Sequence, residues 1–90
     1  MKIADDVVIQ RVADFYVVVA VGARAKELPC MLRLNESGAF LWNKCVELGE
    51  VDAGALAKEL ALEYGIDPDI AKRDSAAFVK ALSDNGLLEQ

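Results

Sequence analysis

Apolar runs separated by short polar segments dominate the first third of the chain. Residues 7–12 are typical of one strand, and residues 15–21 of a second strand that is dense in β-branched side chains. The two-residue break between them favours an antiparallel hairpin. A polar, charged loop over residues 22–29 ends in a proline and leads into a third, shorter strand over residues 30–34. The pattern therefore predicts a small antiparallel sheet.

The second predicted strand is apolar on both of its faces. One face carries Phe15, Val17, Val19 and Val21, and the other carries Tyr16, Val18 and Ala20. A strand that is covered on one side only should alternate more cleanly. Two explanations stay open: the chain's own ends cover the second face, or that face contacts a partner. In the second case it marks a homodimer interface or the docking face for an enzyme.

Three helices are predicted after the sheet, each with a start and a stop signal. Asn35 is a good N-cap because its side-chain oxygen can accept a hydrogen bond from a free amide of the first turn, and Gly49 ends this first helix. The second helix begins at the Asp52 cap and stops at Gly65. The third opens at residues 67–68, where proline's missing amide does no harm, and ends at residues 85–86.

An apolar stripe runs along each predicted helix, at the spacing of a 3.6-residue period. The residues on or near these stripes are Phe40, Leu41, Cys45 and Leu48 with Trp42 beside them, then Leu56, Leu60 and Tyr64, and then Ile70, Ala77, Phe78, Ala81 and Leu82. Leu87 and Leu88 are expected to fold back against the last turn. The predicted fold is α+β and winged-helix-like: a three-stranded antiparallel sheet followed by a three-helix bundle, as a single domain over residues 1–90.

Gly38 falls in the first turn of the first helix, where glycine costs up to about 1 kcal/mol relative to alanine. Such a cost is tolerated when something packs close to the helix backbone. The sequence therefore predicts a tight corner where the third strand runs into the first helix.

Composition argues against catalysis and against a metal site. The chain has 90 residues, a net charge of −5 and no histidine, the side chain that most often does acid–base work near neutral pH. Cys30 and Cys45 lack the spacing of a metal site, and we expect buried, inert thiols, with a disulfide between them left open. No cofactor and no enzymatic activity are predicted.

Targeting signals are absent from the sequence. No signal peptide is visible, and no apolar run reaches the roughly 18 residues that a membrane span needs. A cytoplasmic protein without a membrane partner is therefore expected.

The second and third predicted helices are joined by few residues and form a helix-turn-helix candidate. A duplex-binding helix needs a basic surface, yet the third helix carries three basic and four acidic side chains. Asp74 on that helix would meet phosphates or base edges. Nucleic-acid binding is therefore disfavoured, and a winged-helix DNA-binding regulator is kept only as an alternative.

The third predicted strand, residues 30–34, lies at an edge of the sheet if the three strands form a meander. An edge strand is a template for another strand. Because this strand is short and ends at a helix, a groove can form between it and a packed helix. The alternatives are an edge protected by its shortness and by Arg33, or a structural subunit that pairs with itself through this edge.

Three motifs give the chain a specific resemblance. They are Leu34-Asn35-Glu36-Ser37-Gly38-Ala39 with Trp42, then Leu56, Leu60 and Tyr64 ending at Gly65-Ile66-Asp67, and then Arg73-Asp74 with Phe78, Leu82 and Gly86-Leu87-Leu88. In these motifs the chain resembles the pyrroloquinoline quinone biosynthesis protein D (PqqD-like) family. That family is the prototype of the recognition element for ribosomally made, post-translationally modified peptides.

The resemblance implies a non-catalytic peptide chaperone. Such a domain binds the leader segment of a precursor peptide by strand addition at the third strand and presents it to a modifying enzyme, typically a radical S-adenosylmethionine (SAM) protein. The precursor, the product and the pathway, whether quinone cofactor or another peptide, are not specified by the sequence.

Carried onto this sequence, the resemblance implies that the peptide-binding residues are Met31, Leu32, Arg33, Leu34, Arg73, Asp74, Ala77, Phe78 and Ala81. Ala77 and Ala81 are small and leave room for leader side chains. Asp74 either receives a Lys or Arg of the leader or, as we prefer, ties the third helix to the corner at Asn35. Trp42 is expected in the core, and Phe78 is divided between core and contact surface.

Overall fold

The predicted order of strands and helices is present in the structure, a computed structural model that describes residues 1–22 and 30–89, with the backbone alone at residues 30 and 31. The elements are β1 (Lys2–Ile3), β2 (Val7–Val12), β3 (Phe15–Ala20), β4 (Cys30–Leu34), α1 (Glu36–Leu48), α2 (Ala53–Tyr64), α3 (Pro68–Asp84) and β5 (Leu88–Glu89). The α+β class is thereby confirmed: a three-stranded antiparallel sheet followed by three helices. Most of the predicted polar loop, residues 23–29, lies outside the described residues.

The central sheet has the strand order β2-β3-β4, with both pairs antiparallel. The hairpin register joins Val7 to Ala20 and Val12 to Phe15, and Ala13 turns the chain with a φ of 54°. Strand β4 pairs Leu34 with Tyr16 and Leu32 with Val18, and the register then shifts so that Met31 is an extra residue. This β-bulge interrupts the regular ladder toward the N-terminal end of β4.

One face of this sheet packs on the helices and the other is only partly covered. The inner face carries Val7, Ile9, Tyr16, Val18, Leu32 and Leu34, which belong to the core or pack against it. On the outer face, Val8 and Val12 are 44% and 40% exposed. The described chain ends therefore do not cover this second face, and its contact with a homodimer partner or an enzyme stays a prediction.

A two-stranded ribbon, which the sequence did not predict, joins the two ends of the chain. β1 pairs with β5 in the register Lys2 to Glu89 and Ile3 to Leu88. The Ala4 N–H donates to the Leu87 carbonyl (2.9 Å) beside it. Strands of two residues are too short to show a period, so the polar N-terminal segment gave no strand signal. The predicted return of Leu87 onto the last turn is confirmed, since Leu87 is fully buried.

Side-chain caps set the helix starts as the sequence predicted. Asn35 Oδ1 accepts from the Gly38 N–H at 2.8 Å, and Asp52 Oδ1 accepts from the Gly54 N–H at 2.9 Å. At the other end, Gly49 closes α1 in the left-handed conformation with a φ of 70°. The short connection that follows α2 lets α2 and α3 pack extensively against each other.

The core lies between the inner sheet face and the three helices. Leu56, Leu82 and Leu87 are fully buried, and Trp42 is buried as predicted. In α3 the buried positions are Ala71, Ser75, Phe78 and Leu82.

Three large apolar residues assigned to the predicted stripes are exposed instead. Leu48, Ile70 and Tyr64 lie outside the core, with 51%, 43% and 42% exposure. A period of 3.6 residues locates a buried stripe with an uncertainty of about one residue. In α3 the buried stripe begins at Ala71 rather than Ile70. Tyr64 instead packs its ring edge-on against Phe40, with ring centroids 5.6 Å apart.

Cys45 is a free, buried thiol, as predicted. Its burial raises the pKa of the thiol from the ordinary 9.0 to about 11, so the reactive thiolate is scarce at neutral pH. The side chain of Cys30 lies outside the described residues. Within the described helices, none combines the length and the apolar character needed to cross a membrane.

Candidate functional site

Strand β4 forms one margin of the central sheet. Among the described strands it pairs only with β3. In an antiparallel ladder, alternate residues direct their N–H and C=O groups away from the partner strand, so the outer margin of β4 offers main-chain donors and acceptors. The Met31 bulge limits the regular part of this margin to Leu32–Leu34.

A groove of about 820 Å³ separates this margin of β4 from α3. We call it the edge groove. Its lining residues are Asp14, Phe15, Leu32, Arg33, Leu34, Asn35, Ser37, Gly38, Leu41, Leu60, Asp74, Ala77, Phe78 and Ala81.

Seven of the nine sequence-predicted site residues line this groove. Leu32, Arg33 and Leu34 belong to its strand side, and Asp74, Ala77, Phe78 and Ala81 belong to its helix side. Arg73 is not among the lining residues; its side chain is largely exposed and its guanidinium Nε lies 3.7 Å from the Asp74 carboxylate. Met31 is described by its backbone alone, as the bulge residue of β4.

The groove has an apolar floor between two different walls. Leu41 of α1, Leu60 of α2 and Phe78 of α3 are all buried yet line the groove. Phe78 therefore serves both the core and the groove, which are the two roles between which the sequence divided it. Ala77 is exposed on the helix wall and Ala81 is half-buried, so short side chains leave the floor accessible.

Leu41 and Leu60 were missed as site residues by the sequence reasoning. Both lie on predicted apolar stripes, and that signal assigned them to the core. The core assignment is correct, since they are 3% and 2% exposed. Only the spatial arrangement of β4 and the three helices shows that the same two side chains also form the floor of the groove.

The corner between β4 and α1 forms one end of the groove. Asn35 Oδ1 accepts hydrogen bonds from the Gly38 N–H (2.8 Å) and from Ser37 Oγ (3.0 Å). A side chain on Gly38 would crowd this corner, because its Cβ would lie 3.2 Å from Asn35 Oδ1. The close backbone packing that Gly38 predicted is thus present.

Charged side chains lie at the rim of the groove. The guanidinium of Arg33 stacks over the Phe15 ring, 3.9 Å from the ring centroid, an arrangement that fixes a cation over an aromatic face. Asp74 pairs with Arg73, and its side chain is 50% exposed. The preferred structural role of Asp74 was wrong, since the Asn35 side chain is engaged by α1 and the described partner of Asp74 is its neighbour in the chain.

The site offers main-chain groups, apolar surface and single charges. No group of three or more Cys, Asp or Glu side chains among residues 1–22 and 30–89 is placed to hold a metal ion.

Comparisons with known proteins agree with this geometry. The family model described as coenzyme PQQ synthesis protein D (PqqD) matches residues 16–88. The chain is similar to a solved structure, TbiB1 in complex with the TbiA(beta) leader peptide, with 27% sequence identity and a TM-score of 0.75. That alignment covers 99% of this chain and 95% of the TbiB1 chain. A search of curated proteins gave no match. Since the family model spans most of the sequence and includes β4 and the three helices, the chain belongs to the PqqD family.

Proposed function

We propose that this chain is a non-catalytic peptide chaperone that binds the leader segment of a precursor peptide in the edge groove and presents it to a modifying enzyme, of the radical SAM class. The observation that carries the proposal is the margin of β4 that no described strand pairs with, which faces α3 across an apolar floor. Family membership and the likeness to TbiB1, whose structure contains a leader peptide, support it.

The leader binds by strand addition to β4. A guest strand lies about 4.8 Å from β4 and uses the outward-facing main-chain groups of Leu32–Leu34. Because the Met31 bulge disturbs the ladder, the regular pairing extends over about three residues of β4. Side chains of the guest alternate, so every second one points toward the groove floor.

Affinity comes mainly from apolar leader side chains placed on the floor. Burying one Leu- or Phe-sized side chain against Leu41, Leu60 and Phe78 contributes roughly 1.5–3 kcal/mol. Two such side chains contribute at most about 6 kcal/mol, less than the roughly 8 kcal/mol that corresponds to binding near 1 μM, so at least three are needed, together with the main-chain hydrogen bonds of the added strand. We expect the leader to be an unstructured segment with apolar residues at alternate positions.

Charges at the rim set the direction of the leader. Arg33 is held over Phe15 on the strand side, and Asp74 stands on the helix side. A Lys or Arg of the leader near Asp74 would give one orientation of the guest strand, since like charges near either rim residue are repelled. These charges contribute to register and specificity more than to total affinity.

The experiment is a titration of the ¹⁵N-labelled protein with a synthetic leader, taken from a short reading frame beside the gene. We expect saturable binding, with amide shifts concentrated in residues 31–34 and 73–81 and slowed hydrogen exchange of the outward β4 amides. Shifts confined to the exposed face of α1 would contradict the proposal. Adding a radical SAM enzyme encoded beside the gene then tests presentation of the leader, because the yield of modified precursor should fall when the chaperone is left out.

A further inference from the structure

A second groove lies between α2 and the N-terminal part of α3, with a volume of about 310 Å³. We call it the helical groove. The residues used below that line it are Gly54, Ala57, Lys58, Ala61, Leu62 and Lys72. None of them lines the edge groove. On α2, Leu62 is two positions from the edge-groove residue Leu60, about 200° around the helix, so the two grooves open on different sides of α2.

Leu62 is the most exposed large apolar side chain among the described residues, with 75% exposure. It adjoins a floor of small residues, Gly54, Ala57 and Ala61. The chain's own packing does not require glycine at position 54. A Cβ there would meet only Asp52 Oδ1, at 3.4 Å. The small floor leaves space for another backbone to approach closely.

Two lysines flank this apolar surface. Lys58 and Lys72 are exposed, and neither forms an ion pair within the described part of the chain. By contrast, Lys2, Lys44 and Lys80 each pair with a carboxylate. The chain carries a net charge of −5. Two lysines without carboxylate partners among the described residues, beside apolar surface in an acidic protein, indicate a binding partner that carries Asp or Glu side chains.

The walls of the helical groove are helical on both sides. Their backbone groups are used within α2 and α3, so an added strand would find few main-chain partners there. A helix satisfies its own backbone and can lay an apolar stripe between two other helices. These two requirements, a helical backbone and carboxylates beside an apolar stripe, define the occupant.

We infer that the helical groove binds an acidic amphipathic helix of a partner protein, with apolar side chains against Leu62 and the small floor and carboxylates against Lys58 and Lys72. This goes beyond the proposed function, because the site is separate from the edge groove. A leader and such a partner can be bound at the same time, as presentation of a bound leader requires.

The probe is a stapled helical peptide of about 15 residues, with Leu at i, i+3 and i+4 spacing and Glu beside the stripe. We expect saturable binding to the full chain, with amide shifts at Ala61, Leu62 and Lys72. The same peptide with Lys in place of Glu is the control and should bind at least about tenfold more weakly. Equal affinity of the two peptides, absence of binding, or shifts confined to residues outside the helical groove would overturn the inference.

Substitutions in the helical groove test whether the acidic peptide binds there. The double change Lys58→Glu and Lys72→Glu should weaken the acidic peptide at least about tenfold, and Leu62→Ser should weaken it as well. Lys80→Glu is the matched control: it reverses an exposed lysine on α3 that does not line the groove, and it should leave binding unchanged. Circular dichroism confirms that each variant is folded. If the double variant binds the acidic peptide as tightly as the parent, the inference fails.

Two further measurements separate this inference from other outcomes. Leader binding to the double variant should be unchanged, because Lys58 and Lys72 do not line the edge groove. If the parent binds the acidic peptide but no leader, the proposed function alone is refuted. Sedimentation of the parent chain and of the double variant tests for self-association through the helical groove, and we expect none. Such self-association would assign the helical groove to a second copy of this chain and overturn the inference.

Discussion

Leu34 and Gly38 approach each other so closely that a side chain on Gly38 would crowd Leu34. A Cβ on Gly38 would lie 3.1 Å from Leu34 Cδ2 and 3.2 Å from Leu34 Cβ. Leu34 is the last residue of β4, and Gly38 lies in the first turn of α1. Their contact fixes the angle at which the strand passes into the helix, and thereby the position of the β4 margin opposite α3.

Gly38→Ala should destabilise the protein by about 1 kcal/mol. Overpacking costs roughly 1–3 kcal/mol, and the gain of about 1 kcal/mol in helix propensity offsets only part of it. Urea unfolding gives the free energy of unfolding. Gly54→Ala is the matched control in the first turn of α2, where the added methyl meets only Asp52 Oδ1 at 3.4 Å. That control should be neutral or slightly stabilising, and equal losses in both variants would contradict the proposed role of the corner.

Ala77→Trp should reduce leader affinity at least about tenfold, because the indole would occupy the space above the groove floor. Ala76→Trp is a stringent control. Ala76 is the neighbouring residue on α3, is also exposed, and does not line the edge groove. Fluorescence anisotropy with a labelled leader measures both. If Ala76→Trp impairs binding as much as Ala77→Trp, the leader does not lie along this wall.

Asp74→Asn should weaken leader binding by about two- to fivefold and reduce its dependence on salt. Its carboxylate is half-exposed, and exposed ion pairs contribute roughly 0.2–1 kcal/mol. Arg73→Gln removes the described partner of Asp74 but no groove-lining residue, so it should not weaken binding. Calorimetric titration at low and high salt compares the two. If Arg73→Gln loses more leader affinity than Asp74→Asn, the leader's charged side chain contacts Arg73 rather than Asp74.

Ser75→Ala should raise the free energy of unfolding by about 1 kcal/mol. Ser75 is fully buried in α3, and its Oγ has no hydrogen-bond partner among the described residues. A buried hydroxyl without a partner costs roughly 1–3 kcal/mol, and alanine also favours the helix. Ser83→Ala, an exposed position on the same helix, should change stability by less than about 0.5 kcal/mol. A destabilised Ser75→Ala variant would show that the hydroxyl is satisfied.

The Cys45 thiol should make stability fall between pH 9 and pH 11. The unfolded thiol ionises near its ordinary pKa of 9.0, whereas burial holds the pKa of the folded thiol at about 11. In that window the unfolded state therefore loses its proton first and is favoured as the pH rises. Below pH 9 the thiol adds no pH dependence.

The check is urea unfolding at several pH values for the parent and for Cys45→Ala. The variant should be less stable at pH 7, because it leaves a small cavity, but its stability should decline less steeply above pH 9. Parallel declines in the two proteins would assign the slope to tyrosine and lysine side chains instead. Alkylation of the native parent by iodoacetamide at pH 8 should likewise be slow at Cys45 and become fast in urea.

Local signals predicted most of the fold correctly. The apolar and β-branched runs predicted β2, β3 and β4, and the caps at Asn35 and Asp52 predicted two helix starts, because a cap is a short-range hydrogen bond between neighbours in sequence. The start of the third helix was predicted from Pro68. The ribbon of β1 and β5 was missed because it depends on pairing between residues more than 80 positions apart in a chain of 90. Leu48 and Ile70 were misplaced because they adjoin the true stripes.

The edge groove was predictable in its walls and not in its floor. Ala77, Phe78 and Ala81 followed from the resemblance to a family, and the margin of β4 followed from the predicted strand order. Leu41 and Leu60 come from two different helices and meet only after the bundle has formed. Arg73 was assigned to the site, yet the turn of α3 directs it away from the groove, about 100° from Asp74.

The pairing of β1 with β5 places residues 2 and 89 side by side, with their side chains joined by an ion pair of 3.3 Å. Neighbouring ends are the geometry that tolerates insertion of a domain into a host protein and circular permutation. Joining these ends with a short glycine linker and opening the chain after Gly49, between α1 and α2, would cut none of the strands and helices that line the two grooves. The architecture is thus suited to being carried as a cassette within a larger polypeptide.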